Sequence, residues 1–251
     1  MTSFLLKIIG IVTMLCDHTG DTFIGHFSFL NLIGRIAFPI FAFQIVQGYM
    51  HTHNVKKYAL RLFAFACISQ IPFMLFLTTF YDSFYLNIFF TLLLGIICLY
   101  GYDKIKNKYL GILFSILICI VAHFIQVDYG AYGVAVIFLF YIFNKTSASD
   151  INATTHCDLP ISATTTNQKQ SSLHYKKITM CLVFIILTSI KYLPDIVKYP
   201  SIANIYIACV LFTSISLIPI YIYNGKQGPK TKYLFYAFYP VHLLLLYFLV
   251  K

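Results

Sequence analysis

Asp17-His18 stands near the end of the first apolar run, residues 4–16, within Leu15-Cys16-Asp17-His18-Thr19-Gly20. Placing an Asp at the centre of a membrane helix costs about 2.5–3.5 kcal/mol on insertion scales, so an ionisable group at this depth points first to function. An imidazole with an ordinary pKa of about 6.5 takes and returns a proton near neutral pH, which makes His18 the candidate general base. Successive helical residues point about 100° apart, so Asp17 need not touch His18. Its expected partner is Arg35, near the start of the second apolar run, which offsets the burial of the acid. Arg35 is also placed to polarise a carbonyl or hold a carboxylate. His242, in the last apolar run after Tyr239-Pro240, is a second candidate, and Pro240 is expected to kink its helix. Each has a plainer alternative. Asp17-His18 also reads as an interfacial helix end, Arg35 as a snorkelling cation, and His242 as a hydrogen-bonded core histidine. Asn87 and Asp128 serve as well for packing as for a site.

The elements that must position these groups are membrane helices. Hydrophobic residues make up 59% of the 251 and charged residues only 10%, a balance that excludes an ordinary soluble domain. Apolar segments near 4–24, 30–50, 58–79, 86–102, 109–127, 130–144, 177–193, 201–223 and 232–250 are each about long enough to cross some 30 Å of hydrocarbon. The fold class is therefore an all-α polytopic integral membrane protein with about nine transmembrane helices, eight or ten being the neighbouring counts.

Charge sets the expected orientation. Fourteen of the eighteen basic residues (Lys7, Lys56, Lys57, Arg61, Lys104, Lys106, Lys108, Lys145, Lys169, Lys176, Lys177, Lys226, Lys230, Lys232) fall on one side of that alternation. Arg35, Lys191, Lys198 and Lys251 fall on the other. By the positive-inside rule the N-terminus is cytoplasmic and the C-terminus outside, in a multi-pass inner-membrane protein. The net charge of +10 thus reads as topology and contact with anionic lipid, not as a nucleic-acid surface.

The chain reads as one domain, 1–251, interrupted by a polar Thr/Ser/Asn-rich stretch at 145–176, expected to be a disordered cytoplasmic loop. The sequon-like Asn152-Ala153-Thr154 falls in that loop and carries no weight. The seven cysteines are scattered without C-x-x-C spacing, so neither a disulfide framework nor a metal site is expected. Thr2-Ser3 leads straight into the apolar run, and no cleavable signal is expected.

Several stretches, in order, resemble one family: Asp17-His18-Thr19-Gly20, Gly34-Arg35-Ile36-Ala37-Phe38-Pro39, His51-Thr52-His53-Asn54-Val55-Lys56-Lys57-Tyr58, Arg61-Leu62, Ile68-Ser69-Gln70-Ile71-Pro72, Leu86-Asn87-Ile88-Phe89, Asp128-Tyr129-Gly130-Ala131-Tyr132-Gly133 and Phe238-Tyr239-Pro240-Val241-His242. The chain is similar to the TraX family, named for a membrane protein that acetylates pilin N-termini. Through it the chain resembles the acyltransferase-3 and heparan-glucosaminide N-acetyltransferase type of transmembrane acyltransferase. The resemblance covers nearly all but 145–176. It implies transfer of an acetyl group from cytoplasmic acetyl-CoA to a peptide N-terminus, pilin-like, or to a cell-envelope glycan. Gln47 and Gln70 depart from it, standing where family members often carry Glu.

On that reading His18 is the base, Asp17, Arg35 and His242 complete the catalytic set, and no metal is involved. Lys56, Lys57 and Arg61, beside His51 and His53, are placed to bind the phosphates of coenzyme A. The same cluster serves as a topology signal without any ligand. Two further readings stay open: a sugar or glycan O-acyltransferase of the envelope, and a non-catalytic transporter or assembly protein. No internal repeat of the transporter kind is evident.

Overall fold

The computed structural model describes the backbone of residues 1–25, 27–80, 84–155, 163–229 and 232–251, and the side chains of these except 147–155, 163–173 and 232–234. The helices are α1 (Ser3–Phe23), α2 (Phe29–Gly34), α3 (Ala37–His51), α4 (Val55–Leu77), α5 (Ile88–Lys104), α6 (Lys108–Phe124), α7 (Gly130–Thr155), α8 (Ala163–Lys198), α9 (Ala203–Ile215), α10 (Leu217–Tyr221) and α11 (Lys232–Val250). A 3-10 turn, Pro200–Ile202, precedes α9. Among the described residues there is no β-strand, only an isolated bridge between Leu86 and Val127.

All nine apolar segments read from the sequence are helical. The second is divided into α2 and α3, for a local reason: Pro39 has no N–H to offer the Arg35 carbonyl, and the helix breaks at Arg35-Ile36. Side-chain caps fix five of the helix starts. Thr2 caps α1, Ser28 and Asn31 form a reciprocal box on α2, and Asn54, Asn87 and Asn107 cap α4, α5 and α6.

The chain is an all-helical membrane protein. Among the described residues five helical stretches are long and apolar enough to cross a bilayer: Ser3–Phe23, Phe29–His51, Val55–Leu77, His174–Lys198 and Pro200–Tyr221. Shorter apolar stretches are Lys108–Phe124, Gly130–Thr146 and Phe235–Val250, and α5 has 17 residues. For α5 the cause is visible. Its cap residue donates from Asn87 Nδ2 to the Ala66 carbonyl at 2.7 Å, about three turns into α4, so α5 starts inside the bundle rather than at its edge.

The polar stretch 145–176 is entered by helix from both sides. α7 continues to Thr155 and α8 begins at Ala163, both inside 145–176, while 156–162 lie outside the described residues. A helix already nucleated in an apolar segment propagates into polar sequence at little cost per residue.

Side-chain polarity is inverted relative to a soluble protein. On α6, Leu113 and Leu117 are more than half exposed, while Gly111, Ser115, Ile118 and Ala122 face inward. An outer surface of this kind is solvated by hydrocarbon, which offers no hydrogen bonds. Buried hydroxyls accordingly bond inside their own helices: Thr188 to the Phe184 carbonyl, Thr213 to Cys209 and Ser115 to Gly111. α3 occupies the centre, with Ile40, Ala42 and Val46 fully buried and packed with Leu6, Leu62, Phe140 and Phe184.

One end of the bundle gathers polar links between chain segments far apart in sequence. Asp103 accepts from Tyr49 at 2.7 Å and from Tyr141 and Lys145 at 2.5 Å each. Ser3 donates to Gln44 Oε1 at 2.8 Å, and Gln47 donates to Asn144 at 3.2 Å. The Met1 ammonium donates to the Ile222 carbonyl, and the Ser3 and Phe4 amides donate to those of Lys226 and Gln227. Lys145 and Lys226 take part in these links, and Arg35 and Lys191 do not.

Candidate functional site

α1 and α2 approach closely because glycine stands at both contact points. A Cβ on Gly34 would lie 2.3 Å from the Asp17 Cβ, and one on Gly20 would lie 2.6 Å from Ser28 Oγ. This approach lets Arg35, freed at the helix break, reach back to α1. Its Nη2 donates to Asp17 Oδ1 at 3.2 Å. Asn31 Nδ2 adds bonds to the Asp17 carbonyl and to Asp21 Oδ1, both at 2.9 Å. The partnership expected from sequence is present, and Asp17 is held by two groups of the α2–α3 segment.

His18 faces elsewhere, as a 100° step requires. Its Nδ1 lies 2.8 Å from Nε2 of His242 on α11, and the two rings are nearly parallel with centroids 5.0 Å apart. His242 Nδ1 lies 2.8 Å from the Phe238 carbonyl. A carbonyl only accepts, so His242 Nδ1 carries a hydrogen and, with both rings neutral, its Nε2 accepts from His18 Nδ1. His18 Nε2 is then left with its lone pair, the form a general base requires. Phe76 closes the other side of the His18 ring at 5.2 Å. The structure thus brings His18 and His242 together, with Asp17 and Arg35 beside them on the opposite flank of α1.

A cavity of about 600 Å³ runs beneath this pair from the basic end of the bundle. Along α1 it follows Ser3, Lys7, Ile11 and Met14, and along α11 Phe235, Tyr236 and Tyr239. Neither histidine lines it, but Met14 and Tyr239 sit one helical turn from His18 and His242 on the same helix faces. Of the three cations expected to bind phosphate, only Arg61 lines the cavity. Lys56 and Lys57 are exposed outside it. Arg61 rests over the Tyr58 and Tyr236 rings at 5.3 and 5.7 Å, with its Nε buried and unbonded. Lys7, read from sequence only as a topology signal, lines the same cavity over the Phe235 ring at 5.4 Å. Its position was readable in principle, since residues 3, 7, 11 and 14 share a helix face.

Sequence reasoning also missed the surroundings of Arg35. The Asp128-Tyr129-Gly130 turn has Tyr129 at φ 62, a conformation costly for a tyrosine. It stacks that ring on Phe38 with centroids 3.9 Å apart and beneath Lys191 Nζ. Lys191 Nζ lies 4.7 Å from the ring centroids of Tyr129, Tyr132 and Tyr192 alike. Burial pushes the Asp128 carboxyl up to about 6, against the lowering effect of Lys191 and Arg35. Its backbone carbonyl accepts from Thr91 Oγ1.

The two glutamines that depart from the family pattern have distinct places. Gln70 Nε2 donates to the Tyr85 carbonyl at 2.8 Å, while its Oε1 accepts from the Asn87 amide and side chain. A carboxylate could not make the first bond, so the amide holds the start of α5. Gln47 lines the cavity.

Residues 3–250 match the family described as "TraX protein", and the chain belongs to that family. It is 28% identical to the "Probable fimbrial assembly protein FimC, serogroup H1" of Dichelobacter nodosus, over 98% of this chain and 94% of the relative. No solved structure matches.

Proposed function

We propose that the protein is a membrane acetyltransferase. It takes acetyl groups from acetyl-CoA at the basic end of the bundle and delivers them to a peptide N-terminus, pilin-like, reached from the opposite end. The observation that carries this reading is the hydrogen-bonded His18–His242 pair lying one turn beyond the floor of a cavity that opens among Lys7 and Arg61. The cavity follows α1 from Ser3 to Met14, about 16 Å, and so suits a slender arm bearing a thioester, with anionic groups left at the mouth. Arg35, fixed by Asp17, lies on the far flank where an acceptor would arrive. Family membership and the fimbrial-assembly title of the relative support a pilus-associated acceptor.

In this reading His18 Nε2 removes the proton from the attacking amine, and His242 holds His18 in the competent tautomer. The basic end is cytoplasmic, the chain crosses the inner membrane nine times, and the C-terminus is outside. The deciding experiment uses purified protein in nanodiscs with radiolabelled acetyl-CoA and three acceptors: a pilin-like peptide, the same peptide with a blocked N-terminus, and an envelope oligosaccharide. Label should enter the first alone. Label in the oligosaccharide alone would reassign the protein as an O-acetylase, and label in none would remove the enzymatic reading.

A further inference from the structure

Tyr239 is 4% exposed, and its hydroxyl oxygen is among the buried side-chain atoms that make no hydrogen bond. Such an atom is desolvated with nothing in return, so its persistence calls for a use. Three features surround it. Tyr239 lines the inner end of the cavity together with Ile88 and Met14. Its ring packs edge-on against Phe89 at 5.2 Å and stands 5.8 Å from that of His242. Its oxygen also lies near the backbone N–H of Ile88, without completing a bond of ordinary geometry.

Ile88 is the first residue of α5, whose cap, Asn87, spends its side chain on the Phe89 amide. The Ile88 N–H therefore has no acceptor within its own helix. Because α5 starts inside the bundle, the partly positive end of a 17-residue helix is delivered to the floor of the cavity. An unpartnered buried hydroxyl and a helix N-terminus thus meet at one point, a turn below the histidine pair.

We propose that the Tyr239 hydroxyl, backed by the N-terminus of α5, is the donor that binds the thioester carbonyl oxygen of the acyl donor and the oxyanion it becomes; this rests on the acetyltransferase reading above. The acceptor nitrogen attacks the thioester carbon, and the carbonyl π electrons move onto the oxygen facing Tyr239. His18 takes the proton from that nitrogen. The oxyanion then collapses, the C–S bond breaks, and the proton passes to the departing sulfur, leaving an amide and free coenzyme A. Tyr239 gives up no proton. It contributes a dipole aimed where charge develops.

The test compares wild type, Tyr239→Phe and His18→Ala in nanodiscs, with acetyl-CoA labelled with ¹³C at the carbonyl and a peptide acceptor. Tyr239→Phe should lower kcat by about 10²–10³-fold with little change in the KM for acetyl-CoA. Its thermal midpoint should equal or exceed that of wild type, because the lost hydroxyl had no partner. The infrared carbonyl stretch of bound acetyl-CoA should sit at lower frequency in wild type and in His18→Ala than in Tyr239→Phe. Full activity and an unshifted carbonyl in Tyr239→Phe, with wild type active and His18→Ala dead, overturns the Tyr239 role alone. A loss of activity explained by a lower midpoint, with the stretch unchanged, also overturns it. An inactive wild type, or an active His18→Ala, overturns the acetyltransferase reading and this inference with it.

Discussion

His18 Nδ1 and His242 Nε2 are 2.8 Å apart across the α1–α11 contact, although 224 positions separate them in the chain. The bond to Phe238 makes the relationship directional: the last helix sets the tautomer of the first. A base is only as useful as the lone pair it presents, so the two residues should differ in what they contribute.

His18→Ala should abolish acetyl transfer, a loss of about 10²–10⁴-fold or more, with a thermal midpoint near wild type. His242→Ala should lose less, because His18 keeps its ring and loses only its orientation. His242→Gln, whose side-chain oxygen still accepts, should recover part of that loss. Equal activity of His18→Ala and wild type with a defined acceptor would reduce the pair to a packing contact.

Asp17 and Arg35 should be energetically coupled. Arg35→Ala leaves the Asp17 carboxylate with the Asn31 amide as its donor, and breaking a buried pair in this way costs about 3–5 kcal/mol. Both side chains are partly exposed, so the low end of that range is expected. The double variant Asp17→Asn/Arg35→Gln should regain stability relative to Arg35→Ala. Strictly additive losses in the cycle, read by thermal unfolding in detergent, would show that the 3.2 Å contact carries no coupling.

Helix positions were legible because hydrocarbon length and loop charge act on every segment independently, and each apolar run became a helix. The Asp17–Arg35 pair was legible for a related reason, since an acid and a cation in neighbouring segments have few other partners in an apolar phase. The His18–His242 bond was not, because nothing local in the first helix says which helix will lie beside it. The short α5 was hidden as well. Asn87 reads as a cap in sequence, but only its bond to Ala66 shows that the cap lies inside the bundle. Lys56 and Lys57 could not be told apart from Arg61 in sequence, because a cluster at a loop satisfies topology and ligand binding alike; Lys7 and Arg61 line the cavity and the other two do not.

The cavity mouth gives a sharp contrast. Lys7→Ala and Arg61→Ala should each raise the KM for acetyl-CoA several-fold with kcat nearly unchanged, since each removes a charge facing the cavity but no proton-transfer group. Lys57→Ala should leave KM within error, its side chain lying outside the lining. Binding of acetyl-CoA by calorimetry checks the assignment without turnover. Tighter dependence on Lys57 than on Lys7 would return the phosphate site to the cluster first read from the sequence.

Asp128 should give the protein a stability that falls as pH rises. Its carboxyl titrates near 6 in the folded chain against about 3.9 when unfolded. The folded state therefore binds the extra proton between those values. The contribution is fully present below the unfolded value and is lost as pH rises toward 6. Arg35 and Lys191 oppose the shift and Asp17 adds to it, so the net direction depends on burial outweighing the cations. Thermal midpoints of wild type in detergent should decline from pH 4 to pH 6.5, and Asp128→Asn should flatten that part of the profile. A wild-type midpoint that rises with pH over this window, with the rise removed by Asp128→Asn, would mean that Lys191 and Arg35 dominate and the carboxyl is held low.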